Sequence, residues 1–168
     1  EDYESLQVEL NKNDWVTFIA SGANLPRSSG ASDHPLLDGK IPFEAPEGLK
    51  ASLKLPHAGE IEGMFVPKGI TLIVGGGFHG KSTLLRAIQD AVYPHIAGDG
   101  RERVATLPSA IKVRAEDGRA VREVNLSAFM DHLPGIDSTE NFSTQFASGS
   151  TSQAVNILEA VETGAKLL

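Results

Sequence analysis

The residues Gly75 to Thr83, GGGFHGKST, have the types and spacing that could do chemistry. Gly75, then Gly76, Gly77, Phe78 and His79, then Gly80-Lys81-Ser82 satisfy the pattern GxxxxGK[ST] of a phosphate cradle. Glycines let successive backbone N–H groups turn inward and form a nest around an anion. A helix that begins near Lys81 adds its positive end at the same point. Lys81 would be the catalytic cation, reaching the β- and γ-phosphates of a nucleotide, while Ser82 offers its hydroxyl to Mg²⁺ and Thr83 meets the α-phosphate. His79 would contribute its backbone N–H, as any residue would, with its imidazole near the γ-phosphate as a second role. The competing reading is a chance match in a glycine-rich turn, and the flanking elements decide between the two.

Those elements are the ones a phosphate loop requires. GITLIV, Gly69 to Val74, is a β-rich apolar run that predicts a strand leading into the glycines. KSTLLRAIQDAV then sets Leu84, Leu85, Ile88 and Val92 on one face of a predicted helix. Upstream, EDYESLQVEL reads as a helix with acidic residues in its first turn, and WVTFIA, Trp15 to Ala20, as a short buried strand. Ser, Gly, Pro and Asp dominate Ser21 to Gly39, which predicts a connecting loop and a domain boundary. LKASLKL, Leu49 to Leu55, again predicts strand. Downstream, Ile111, Val113 and Ala115 alternate with polar residues before Asp117-Gly118, the pattern of a hairpin with a two-residue turn. SGSTSQAVNILEAVETG predicts a helix with serines at its start, Ala154, Ile157, Leu158 and Val161 as its buried stripe, and Gly164 closing it. AKLL after it reads as the opening of another buried strand.

Composition narrows the partners. The chain has 168 residues, 40% apolar and 22% charged, enough for one good core or one domain plus part of another. It holds no cysteine, which excludes disulfides and thiolate metal sites and fits an intracellular, reducing compartment. No apolar run reaches the length of a membrane span, so no membrane partner is expected. A net charge of −7 argues against a general nucleic-acid binder. One local exception runs from Arg101 to Arg122, where Arg101, Arg103, Lys112, Arg114, Arg119 and Arg122 outnumber Glu102, Glu116 and Asp117. It reads as a solvated hairpin face or as a phosphate-contacting edge, the latter keeping a nucleic-acid-associated ATPase as an alternative.

Two further elements bear on the class of nucleotide enzyme. NKND, Asn11 to Asp14, matches the NKxD guanine-reading motif and precedes the phosphate loop, the order of a circularly permuted GTPase. No DxxG follows the loop, and a GTPase needs one to hold Mg²⁺ and sense the γ-phosphate. ASGSTSQ, Ala147 to Gln153, opens a helix, where Ser148 and Gly149 can present a hydroxyl and backbone N–H groups to a phosphate. Alone it is a good helix cap.

In that placement the chain resembles the ABC-type ATPases, whose LSGGQ signature opens a helix shortly before the acidic Walker B strand. Ala147, Ser148 and Gly149 follow the signature, whereas Ser150 and Thr151 replace its second Gly and its Gln, and Phe78 stands where ABC transporters usually have Gly. Together with LPRSSG, VYPHIAGDGRE, IKVRAEDGR and FSTQFASGSTSQA, these departures resemble the soluble, non-transporter ATPases of the ABC class, from about Leu25 to the end. The resemblance implies an α/β fold, a P-loop NTPase with an ABC-ATPase-like core. It implies ATP and Mg²⁺ as ligands, and a head-to-tail homodimer in which Ser148, Gly149 and Ser150 cap the γ-phosphate on the opposite subunit. Residues 1–40 would be the end of an N-terminal domain plus its connecting loop, and 41–168 the N-terminal part of the ATPase domain. The Walker B aspartate and its following carboxylate are expected just after Leu168. The chain therefore reads as a piece truncated before the Walker B strand, with hydrolysis belonging to the complete protein. A metal-sensing Gln is not assignable to Gln89 or Gln145, and Phe43 and Phe65 are the aromatics upstream of Gly75 that could stack on adenine.

Overall fold

The computed structural model describes residues 1–131 and 138–165. They form two compact units, 1–110 and 111–168. The first unit holds a four-stranded antiparallel sheet in the order β2-β3-β1-β4, built from β1 (Trp15–Ala20), β2 (Lys50–Leu55), β3 (Gly59–Pro67) and β4 (Val104–Thr106). A single 3₁₀ turn, Glu47–Leu49, leads into β2. The central strand β1 lies within residues 1–40, and both of its partners, β3 and β4, come from beyond them.

Helix α1 (Asp2–Lys12) buries Leu6 and Leu10 completely. Asp2 fixes its first turn to the β2–β3 hairpin by accepting hydrogen bonds from the His57 and Ala58 amides, at 2.8 and 3.1 Å. That anion at a helix start is favourable twice over, through the bonds and through the helix dipole. Helix α2 (Lys81–Asp90) rests on β4: the Thr106 amide donates to Ala91 O at 2.9 Å, and the Thr106 hydroxyl to Ile88 O at 2.7 Å. Ile19, Met64 and Val104 of the sheet form one core with Ala87 of α2, with Ala91 at its C-cap, and with Ala23, Leu25 and Ala45.

Three sequence expectations need correcting here. Gly69–Val74 is not a strand: no described strand pairs with it, so Ile70, Leu72 and Val74 remain in solvent. An apolar run becomes a strand only where a ladder partner satisfies its backbone, and the four strands here complete their sheet without it. The buried stripe of α2 runs through Leu84, Ala87, Ile88 and Ala91, with Leu85 exposed. The segment 111–115 is also not a strand, because the Gly118 amide donates to Ala147 O and the Ala147 amide to Arg119 O, which takes up the ladder a hairpin would need.

The second unit pairs β5 (Val121–Val124) with β6 (Phe142–Thr144) antiparallel, and α3 (Gly149–Glu162) packs with them. Val121, Leu126, Phe142, Ala147, Ala154 and Val155 make its core. Val155 rather than Val161 carries the buried stripe of α3, Ile157 and Leu158 are half-buried, and Val161 is 55% exposed. Gly164, at φ +87, closes α3 as expected. Its amide donates to Val161 O and that of Ala165 to Ala160 O, the two bonds of a Schellman motif. The anticipated strand beginning at AKLL falls on residues outside the described ones from 166 onward.

Candidate functional site: a phosphate loop at the start of helix α2

The loop turns through left-handed backbone at Phe78 (φ +60) and Gly80 (φ +78), with Gly75 at φ +148. Gly80 is the N-cap of α2 and Lys81 its first residue, so the amides of the first turn are free of intrahelical partners at the point where an anion would sit. The Lys81 ammonium bridges back across the loop, donating to Gly75 O at 2.7 Å and to Gly76 O. The His79 ring lies over Gly76, where a Cβ would stand 3.1 Å from it, so a side chain at 76 would push the ring off the loop. Gly75 to Gly80 and Ser82 are all exposed, with Thr83 half-buried.

An open cleft of about 860 Å³ adjoins the loop. Phe78, His79, Gly80, Lys81 and Thr83 line one side, and Leu25, Leu36, Ile41 and Phe43 supply apolar wall. Of the two upstream aromatics, Phe43 therefore borders the loop. Phe65 instead stacks on Trp15, centroids 4.7 Å apart. A polyanion placed on the loop would meet one mobile cation and amide donors, beside a surface able to take a flat apolar ring. The exposed Ser82 hydroxyl fits Mg²⁺, which is usually held by one or two protein oxygens, substrate phosphates and water. No cluster of metal-ligating His, Asp or Glu side chains occurs among the described residues.

The structure assigns NKND to another task. Asn13 ends α1 by donating through its amide side chain to Glu9 O at 2.8 Å, Asn11 donates to Gln7 O at 2.8 Å, and Asp14 pairs with Lys68. None of these residues borders the cleft. Of the six cations from Arg101 to Arg122, Arg101 is buried and Arg119 is committed to Glu159 and Asn156, while Arg103, Lys112, Arg114 and Arg122 are exposed.

Ser148, Gly149 and Ser150 belong to the second unit and stand at the start of α3, Ser148 as its N-cap. Ser148 makes no side-chain cap; its hydroxyl pairs with those of Ser150 and Thr151, at 3.3 and 3.0 Å. The Asp117 carboxylate sits beside this helix start, close enough that a Cβ on Gly149 would lie 2.9 Å from it. Sequence reading missed this neighbour, because Asp117 was spoken for as a turn residue.

It also missed a polar network behind α2. Arg27 donates to Asp99 Oδ2 at 2.6 Å and to the Asp99 carbonyl at 3.0 Å. Arg101 donates to Leu25 O and to Asp90 Oδ2. His95 places Nδ1 3.0 Å from Asp99 Oδ2, while its buried Nε2 has no partner among the described residues. Burial lowers the His95 pKa below the usual histidine value, and the Asp99 carboxylate only partly opposes it.

A glycine loop feeding a helix whose first residue is the lysine of GxxxxGK[ST] defines an α/β P-loop protein. Comparison with known families gives the finer answer: the ABC ATPase P-loop domain matches residues 1–168, and the chain belongs to that family. It is also 34% identical over 171 residues to the uncharacterized protein MJ1628 of Methanocaldococcus jannaschii. That match covers 97% of this chain and 38% of the relative's length. No helix among the described residues is long and apolar enough to cross a membrane.

Proposed function

We propose that this chain binds ATP with Mg²⁺ on the loop Gly75–Thr83, as part of an ATPase that completes its chemistry in a longer protein. The observation that carries the reading is Lys81: its ammonium lies across the loop on the Gly75 and Gly76 carbonyls, at the first turn of α2. Phosphates entering the loop would draw that cation off neutral carbonyls and onto charged oxygens, a stronger interaction. Lys81 and the loop amides would hold the β- and γ-phosphates, Ser82 the Mg²⁺, and Thr83 the α-phosphate. Mg²⁺ bridging the phosphates supplies charge neutralisation to phosphoryl transfer. Phe43 and the apolar wall beside it suit the adenine ring. Ser148, Gly149 and Ser150 would cap the nucleotide of a second copy in a head-to-tail pair, after displacing Asp117 from the start of α3.

Calorimetry with Mg²⁺ and either ATP or GTP tests the reading, on wild type and Lys81→Ala. ATP should be preferred. The variant should bind it roughly 10- to 100-fold more weakly, the effect of one charged hydrogen bond. A preference for GTP, or ATP binding indifferent to Lys81, would overturn it.

A further inference from the structure

A second cavity, of about 280 Å³, adjoins α2 and is walled by Arg27, Ser29, Ser82, Thr83, Arg86 and Arg101. Its charges do not cancel. Arg27 is neutralised by Asp99 and Arg101 by Asp90. Arg86 holds only a neutral partner among the described residues, the Gly30 carbonyl at 2.9 Å. Three guanidiniums thus face two carboxylates, leaving one positive charge in excess in a chain whose net charge is −7. A local field opposed to the overall charge is built by placement. Arg86 is also held in position, since one arm of its fork is anchored to the backbone of the 25–30 segment. The rest of that planar fork remains to take the paired oxygens of an oxyanion, a match that an ammonium does not make. The Ser29 hydroxyl on the same wall can donate to a further oxygen, while Ser82 and Thr83 border both this pocket and the loop.

We infer that this pocket is a phosphate subsite bordering the nucleotide loop, with Arg86 as its principal ligand. Its occupant is a tetrahedral phosphate, either the one released from ATP or the phosphate group of a second substrate. The link to ATP rests on the proposed function; the affinity for phosphate does not.

The experiment titrates inorganic phosphate, without nucleotide, into the wild-type chain, Arg86→Ala, Arg86→Lys and Lys81→Ala, and follows it by ³¹P NMR. Arg86→Ala should weaken binding by at least about tenfold, as expected for loss of a charged hydrogen bond. Arg86→Lys should fall between, and Lys81→Ala should retain the Arg86-dependent part of the binding. Arg86 is exposed, so its variants should melt as wild type, and a melt on each verifies this. Phosphate binding that depends on Lys81 and not on Arg86 would place the anion on the nucleotide loop and sink the inference. So would no measurable binding by wild type.

Repeating the titration with ADP·Mg²⁺ present, and with phenyl phosphate, separates the sources. Undiminished phosphate binding beside ADP marks released product, and tighter binding of phenyl phosphate marks a second substrate. Failure of ATP to bind, with Arg86-dependent phosphate binding intact, would remove the ATPase reading and leave the subsite.

Discussion

Arg101→Ala removes a guanidinium that is 1% exposed and holds together two segments distant in sequence. Its Nε and Nη2 donate to the Leu25 carbonyl, and its Nη1 to Asp90 Oδ2 at 3.0 Å. Truncation leaves that carboxylate unpaired at the C-terminal end of α2, where the helix dipole already disfavours it. Removing one partner of a fully buried ion pair costs about 3–5 kcal/mol. The Asp90 side chain is 33% exposed, so water recovers part of its loss and roughly half of that range is the fairer share. The Leu25 carbonyl, deprived of both donors, adds about 1 kcal/mol or more. The sum is about 3 kcal/mol, which for a unit of this size lowers the melting temperature by roughly 10–15 °C. Differential scanning calorimetry on wild type, Arg101→Ala, Arg101→Lys and the exposed control Arg122→Ala measures it. Arg101→Lys should be intermediate, because an ammonium keeps the charge but cannot span both acceptors, and the control should move by less than about 0.5 kcal/mol. Equal melting of Arg101→Ala and Arg122→Ala would refute the argument. Arg101 would then count as one more surface cation.

Phe78 holds a left-handed φ, which costs an L-residue about 1–2 kcal/mol, and its ring is fully exposed and so returns no burial. Phe78→Gly should release that strain, less about 0.4–1 kcal/mol of added unfolded-state entropy, and so match or slightly exceed wild type. Phe78→Ala, which keeps the strain, should not gain, and a gain equal to that of glycine in thermal melts would remove the strain account. His95, kept below its ordinary pKa by burial, binds a proton more readily in the unfolded chain. Its neutral form therefore supports the fold at neutral pH, and that support is lost as pH falls below about 6.5, the unfolded value. His95→Gln should show a shallower fall in melting temperature from pH 7 to 5 than wild type. Parallel curves would remove His95 as the source of the dependence.

What the sequence made legible is local. The phosphate loop, the start of α2 at Lys81, the glycine that closes α3 and the strand Trp15–Ala20 rest on residues within a few positions of one another, so motif and periodicity reach them. Where the sequence reading failed, the deciding partner lies far along the chain. Gly69–Val74 has the composition of a buried strand, but composition does not supply a neighbour to pair with. The stretch 111–115 alternates well and still forms no ladder: Arg119, across the expected turn, accepts from Ala147, and Arg114 O accepts from Asn156 of α3. NKND spells a base-reading motif and instead ends a helix, because Glu9 and Gln7 sit one turn back to accept its amides.

Arg101 and Arg86 show how far this limit extends to the site. Both are arginines near α2, and charge counting treats them alike. One is drawn inside by a carbonyl 76 residues away and spent on Asp90, while the other keeps a free fork at the edge of a cavity. Only the pairing separates a structural cation from one able to take a ligand. A count of basic residues between 101 and 122 therefore mixes buried or paired cations with exposed ones, and Arg86, standing alone inside a helix, gave no signal in composition. The turn of the loop and the start of α2 can be read from nine consecutive residues. The charge that surrounds them is fixed by which carboxylates the fold has already used.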